Sequence, residues 1–249
     1  MSLVMQQRSE TLRAEFVPLG GDRRGFYAVP VGTGPFPAVL VFQEAFGVNE
    51  YIQSEVRRLA EHGYAALAPD LFRGDTYGYD EFPKIQPRLQ TLTNEVLLAD
   101  VDASLAFLDG QREVKKDRYG AVGFCMGGRL AVLAALSRPE RIAATSSFYG
   151  GAIAPQERRH FTPLIDHLES ITAELLLIYG ADDQSIVPKE HATIAERLSS
   201  LKKRYTLTVY PGAGHGFASR DRESYRPRQA EDAWAQTLAL FDRALRSAS

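Results

Sequence analysis

Apolar residues along this chain fall into two alternating patterns. From residue 37 onward, short runs rich in Val, Leu, Ile and Ala recur with amphipathic stretches between them: "PAVLVFQ", "YAALAPD", "RYGAVGF", "RIAATSSFYG", "AELLLIYG" and "RYTLTVYPG". Several of these runs are apolar at successive positions, so a strand made from them is apolar on both faces, as a parallel sheet covered by helices requires. The stretches between them read as helices. Ile52, Val56, Leu59 and Ala60 form one stripe at helical spacing, and Trp234, Leu238, Phe241 and Leu245 form another near the C-terminus. "MGGRLAVLAALSR" is apolar nearly all round, which predicts the most buried helix. Before residue 37, "TLRAEFVPL" and "RRGFYAVPV" flank Gly20, Gly21 and Asp22 and predict an antiparallel hairpin over residues 11–32.

These elements give about eight strands in a doubly wound, mostly parallel sheet with helices on both faces. No internal repeat, low-complexity tract or Pro/Gly/Ser linker divides the chain, so residues 1–249 are expected to form a single α/β domain. Two long stretches lack periodicity, roughly 69–90 and 150–170, and each follows a strand, where such folds carry binding loops.

Charge narrows the range of partners. Twenty-nine Lys and Arg stand against 31 Asp and Glu, for a net charge of −2, with the signs interspersed and no basic block to neutralise phosphates. Nucleic acid is not an expected partner. The longest apolar runs fall far short of the roughly 20 residues that span a bilayer, so no membrane partner is expected either. A single cysteine excludes an intrachain disulfide, and no stretch has the layout of a signal peptide; a cytoplasmic protein, monomeric or weakly dimeric, is the expectation.

That one cysteine lies in "VGFCMGG", with Gly123 two residues before Cys125 and Gly127 two after, where a strand ends and a helix begins. A nucleophile elbow has this arrangement: the glycines permit a sharp turn, and the central residue is exposed at the helix N-terminus. The helix dipole there favours a thiolate. Two later strand ends carry matching chemistry in the order nucleophile, acid, histidine. "ADDQSIVP" follows "AELLLIYG" and offers Asp182 and Asp183; "AGHGF" follows "RYTLTVYPG" and offers His215 between two glycines. Either aspartate could serve as the acid, the other capping the helix that begins near Pro188 or bracing the turn. His62, His160, His167 and His191 show no ligand-like spacing, so no metal and no cofactor are expected.

Taken together, "VLVFQEAFGVN", "GYAALAPDLF", "VGFCMGG", "GADDQSIVP" and "GHGF" resemble the dienelactone hydrolase (carboxymethylenebutenolidase) family of the α/β-hydrolases. The resemblance implies a Cys125, His215 and Asp183 triad, with Asp183 preferred as the residue three after Gly180. It implies that Glu44 acts beside the nucleophile, holding or deprotonating the thiol at rest and swinging away when substrate binds. The backbone N–H groups of Ala45 and Met126 would then form the oxyanion hole. Arg73, and Arg222 ahead of Arg220, become candidates for binding an anionic lactone, with Phe46 and Tyr149 as further substrate contacts. The implied substrate is a small ester or lactone. A thiolate leaves a tetrahedral adduct more readily than an ordinary alkoxide does, so cysteine restricts turnover to activated substrates such as enol lactones, aryl esters and thioesters.

Overall fold

The computed structural model describes residues 11–155 and 161–246; His160 lies outside them. Strand β1 (Leu12–Gly20) pairs antiparallel with β2 (Arg23–Pro30), forming the expected hairpin. Strands β3 (Ala38–Phe42), β4 (Ala65–Pro69), β5 (Tyr119–Phe124), β6 (Ile142–Phe148), β7 (Glu174–Gly180) and β8 (Tyr205–Tyr210) run parallel to one another. The eight strands form one sheet in the order β1-β2-β4-β3-β5-β6-β7-β8. Every residue of β3, β4 and β5 is buried, matching their unbroken apolar runs, whereas the edge strands β1 and β8 include exposed positions.

Among the described residues six α-helices accompany the sheet: α1 (Glu50–Glu61), α2 (Phe82–Gln90), α3 (Asn94–Gly110), α4 (Met126–Ser137), α5 (Pro188–Ser200) and α6 (Pro227–Phe241). Helix α1 starts where it does because the Asn49 side chain accepts the Ile52 N–H at 3.2 Å, a cap worth about 1 kcal/mol. Its stripe of Ile52, Val56, Leu59 and Ala60 is buried against β2, β3 and β4. Helix α4 buries ten consecutive residues, Met126 to Ala135, against β3, β5 and β6, and so is as enclosed as its nearly all-apolar sequence predicts. Helices α1 and α6 meet through Arg58, which bonds Glu231 and lies 4.7 Å from the Trp234 ring centre. Trp234 in turn packs on Phe124 and Phe148 at centroid distances of 6.1 and 5.7 Å. Each fully buried aromatic or aliphatic side chain of this kind contributes roughly 1.5–3 kcal/mol.

One aperiodic stretch holds an element that the sequence pattern did not reveal. Residues 82–90 form α2, although Pro83 and Pro87 read as helix breakers. Pro83 falls in the first turn, where a missing N–H costs nothing, and Ile85 and Leu89 are buried one turn apart. In the other stretch Ile165–Ser170 forms a 3₁₀ turn.

The chain leaves β3 for β4 on one side and places β5 on the other, so the strand order reverses at the C-terminal ends of β3 and β5. A crevice opens at such a point in doubly wound sheets.

Candidate active site

Cys125 stands between β5 and α4 with φ 55° and ψ −116°, in the left-handed region that side chains seldom occupy. The flanking glycines make this turn possible. A Cβ on Gly123 would collide with the Gly127 carbonyl, and one on Gly127 would collide with the carbonyls of Phe42 and Gln43 in the neighbouring strand and loop. The Cys125 N–H donates to the Phe148 carbonyl at 3.0 Å, while its own carbonyl accepts from Gly128 and Arg129 at 3.0 and 3.3 Å. The turn is therefore tied to β6 and to the first turn of α4.

The thiol meets a histidine from 90 residues away. His215 Nε2 lies 3.1 Å from Cys125 Sγ, and His215 Nδ1 lies 2.8 Å from Asp183 Oδ2. It is Asp183, 2% exposed, that reaches His215; Asp182 points to solvent. The second oxygen of Asp183 accepts the Ser185 and Ile186 N–H groups at 2.7 and 3.1 Å, which fixes the carboxylate's orientation. Burial works to raise the Asp183 pKa, but the bond from His215 and these two amides hold it below the usual value. For His215 burial disfavours the charged ring, yet the adjacent Cys125 and Asp183 outweigh it and carry the pKa up to about 10. The geometry accommodates an imidazolium held between a thiolate and a carboxylate.

Glu44, just beyond β3, is fully buried. Its Oε1 accepts from Arg222 Nη1 at 3.3 Å and its Oε2 from the Tyr79 hydroxyl at 3.2 Å, and Tyr79 is also bonded to Ser219 at 2.8 Å. Burial pushes the Glu44 pKa up, opposed by Arg222, His215 and the Tyr79 bond without being cancelled. Tyr79 and Arg222 border a cavity of about 480 Å³ whose wall also includes Ala45, Phe46, Cys125, Met126 and His215. The N–H groups of Ala45 and Met126 donate to no protein acceptor among the described residues, so both are available to an oxygen bound at the cysteine.

Comparison with known proteins agrees with this architecture. The model of the dienelactone hydrolase family matches residues 24–245. The chain belongs to the dienelactone hydrolase family. Among its relatives in this family, a Bradyrhizobium protein named "Probable 2-oxo-3-(5-oxofuran-2-ylidene)propanoate lactonase" is 36% identical over 236 residues, covering 92% of this chain and 94% of that protein. An Escherichia coli (strain K12) protein provisionally named carboxymethylenebutenolidase is 33% identical over 249 residues, covering 96% of this chain and 90% of that protein. The crystal structure of a provisionally named dienelactone hydrolase from Klebsiella pneumoniae superposes with a TM-score of 0.86 at 30% identity, covering 93% of this chain and 99% of that one. The sheet and its helices form the α/β-hydrolase fold of the family.

Two residues expected at the substrate are elsewhere in this family member. Arg73 does not reach the cavity: its guanidinium is held by Asp100 at 2.9 Å, Asp22 at 3.3 Å and the Asp70 carbonyl at 2.8 Å. The buried carboxylate of Asp100 requires a counter-charge, and Arg73 and Arg23 share that role. Tyr149 is fully buried behind the catalytic candidates, its ring 5.1 Å from that of His215 and 5.6 Å from that of Phe217, and it is not part of the cavity wall. It backs the imidazole. Of the two later arginines, Arg222 lines the cavity and lies over the Phe46 and Tyr79 rings at 5.7 and 5.1 Å, whereas Arg220 is turned toward Glu55. Residues that the sequence pattern did not single out also line the wall, among them Tyr79, Phe82, Gln86 and Leu89 from the segment through α2, Ser185, Arg129 and Phe161. Arg129 alone carried a signal, as the one charge in the buried part of an otherwise apolar helix.

Among the described residues, no helix is long and apolar enough to cross a membrane.

Proposed function

We propose that this protein hydrolyses activated esters or lactones, with Cys125 as nucleophile, and passes through a thioester. The support comes chiefly from one run of short contacts, Sγ to Nε2 at 3.1 Å and Nδ1 to Asp183 at 2.8 Å, at a strained turn that opens onto a cavity. The Cys125 thiolate attacks the carbonyl carbon, and the oxygen takes up the negative charge between the N–H groups of Ala45 and Met126. The adduct collapses as the C–O bond breaks, and His215 gives its Nε2 proton to the departing oxygen. A water then attacks the thioester while His215 removes its proton. The second adduct expels the thiolate, which re-forms its pair with the imidazolium and leaves a carboxylic acid.

Asp183 keeps the ring oriented and its charge stabilised throughout. Glu44, tied to Arg222 and Tyr79, sets the charge beside the thiol, and burial, which raises its pKa, eases its uptake of a proton. A five-membered enol lactone fits both the cysteine chemistry and the lactone named for the Bradyrhizobium relative.

Steady-state hydrolysis of a dienelactone and of p-nitrophenyl acetate by the wild type and by Cys125→Ala tests the reading. Turnover of both by the wild type and of neither by the variant supports it. Turnover of the aryl ester alone, still dependent on Cys125, retains the mechanism and moves the substrate away from lactones. Undiminished activity in Cys125→Ala overturns the mechanism.

A further inference from the structure

Arg129 is 2% exposed, borders the cavity and follows Cys125 by one helical turn. A guanidinium has five N–H donors. Nη1 donates to Asn94 Oδ1 at 3.1 Å and Nη2 to the Thr162 carbonyl at 2.7 Å, and the Phe161 ring lies 4.6 Å beneath. The Nε–H is buried and has no acceptor among the described residues. No Asp or Glu among them forms an ion pair with Arg129, and burial alone pulls its pKa down to about 10.

Arginine is seldom fully buried without a carboxylate, because an uncompensated charge in a low-dielectric setting is costly. The other charges at the cavity are already matched, Arg222 with Glu44 and His215 with Asp183. Among the described residues no Asp or Glu lines the wall. Among the described residues the cavity therefore carries one positive charge that no carboxylate answers, on a side chain pinned by two neutral oxygens and a ring.

We propose that Arg129 is the specificity-determining anchor for a carboxylate on the substrate, holding it while Cys125 attacks the ester or lactone carbonyl. This rests on the hydrolase reading above. The unused N–H groups can grip a carboxylate in a charge-assisted bond, and Asn94, Thr162 and Phe161 hold the guanidinium ready for it. One turn of helix between anchor and nucleophile, within about 480 Å³, suits a compact acid of one ring and short substituents. The selecting charge thus lies on the helix that follows the nucleophile, beside Phe161 and Thr162, and not at Arg73.

The test compares 4-acetoxybenzoate with its methyl ester, which share the scissile acetyl ester and differ in one remote charge. The readout is the ratio of their kcat/KM values, each divided by the rate of uncatalysed hydrolysis. The wild type is expected to favour the carboxylate, and Arg129→Met to reduce that preference roughly ten- to hundredfold, mainly through KM, on the scale of a lost charge-assisted bond. Asn94→Asp, which supplies an internal carboxylate of nearly the same shape, should reduce it similarly and decides the matter if Arg129→Met does not fold. A wild type without the preference, or variants that slow both substrates equally as a purely structural arginine would, overturns the proposal.

If the wild type hydrolyses nothing, the hydrolase reading has failed on its own account. Calorimetric titration with benzoate then tests the anchor: binding weakened by Asn94→Asp upholds it, and equal or absent binding overturns it.

Discussion

Replacing Asp183 with asparagine separates what its two oxygens do. Oδ1 accepts two backbone N–H groups, from Ser185 and Ile186, while Oδ2 accepts only from His215. An asparagine in the same rotamer has one carbonyl oxygen, and the two amides claim it, because turning the NH2 toward them would set donors against donors. The NH2 then faces His215 Nδ1. That nitrogen must become an acceptor, the ring proton moves to Nε2, and the imidazole can neither take a proton from the thiol nor carry a stabilised charge. Amidating the equivalent carboxylate of a serine triad costs about 10⁴ in kcat, so a fall of about 10³–10⁴, or 4–5.5 kcal/mol at 1.36 kcal/mol per decade, is expected here for p-nitrophenyl acetate. Stability should change by less than about 1 kcal/mol, since both backbone bonds survive. Asp183→Ala leaves two donors without a partner and should lose about 2–4 kcal/mol in urea unfolding. An Asp183→Asn enzyme within tenfold of wild type, or one as unstable as Asp183→Ala, refutes the tautomer argument.

Four further outcomes are expected. Because the His215 pKa is carried up to about 10, alkylation of Cys125 by iodoacetamide should be level between pH 7 and 9; a tenfold rise across that interval contradicts the ion pair. Glu55 is 1% exposed, 3.7 Å from Arg220, and burial raises its pKa to about 7. Below about pH 4.5 it is protonated whether folded or not, and as pH rises through 7 the unfolded chain ionises first, so about 3 kcal/mol of stability is lost. Glu55→Gln should abolish that loss, which urea midpoints at pH 5 and pH 8 would reveal; parallel midpoints in the two proteins argue against it. Gly123→Ala should prevent accumulation of folded protein through its collision with the Gly127 carbonyl, and a soluble, active variant would mean that the elbow can relax. Arg73→Gln should lower stability by about 1–3 kcal/mol, by weakening the compensation of Asp100, and leave KM for esters within twofold; a large KM change returns Arg73 to the substrate.

The sheet was legible because the central strands are buried on both faces and write that fact as unbroken apolar runs, as in "AVLVF" for β3. The residues proposed as a triad could be picked out because each follows such a run, and Cys125 and His215 are framed by glycines. The choice between Asp182 and Asp183 depended on which way one turn faces, and adjacent aspartates do not encode that. Arg73 looked like a loop arginine free to bind a ligand because its partner Asp100 belongs to a helix distant in sequence. Helix α2 was hidden by its own prolines, and the lining residues Phe82, Gln86 and Leu89 with it. Tyr79 takes part in the site through bonds to Glu44 and Ser219, residues 35 and 140 positions away, and no local pattern announces such contacts.

Strand β8 holds the sheet by one side only, through β7, and His215 lies just beyond it. The base of the proposed mechanism is thus delivered by the last strand of the sheet, at its border. A nascent or partly opened molecule can have its elbow formed while the sulfur lacks that base. Chemical reactivity at Cys125 then reports on whether the border strand is docked: fraying of β8 would silence the nucleophile while the rest of the sheet persisted. In the proposed mechanism the reactivity of the chain's only thiol would therefore depend on the docking of this border strand.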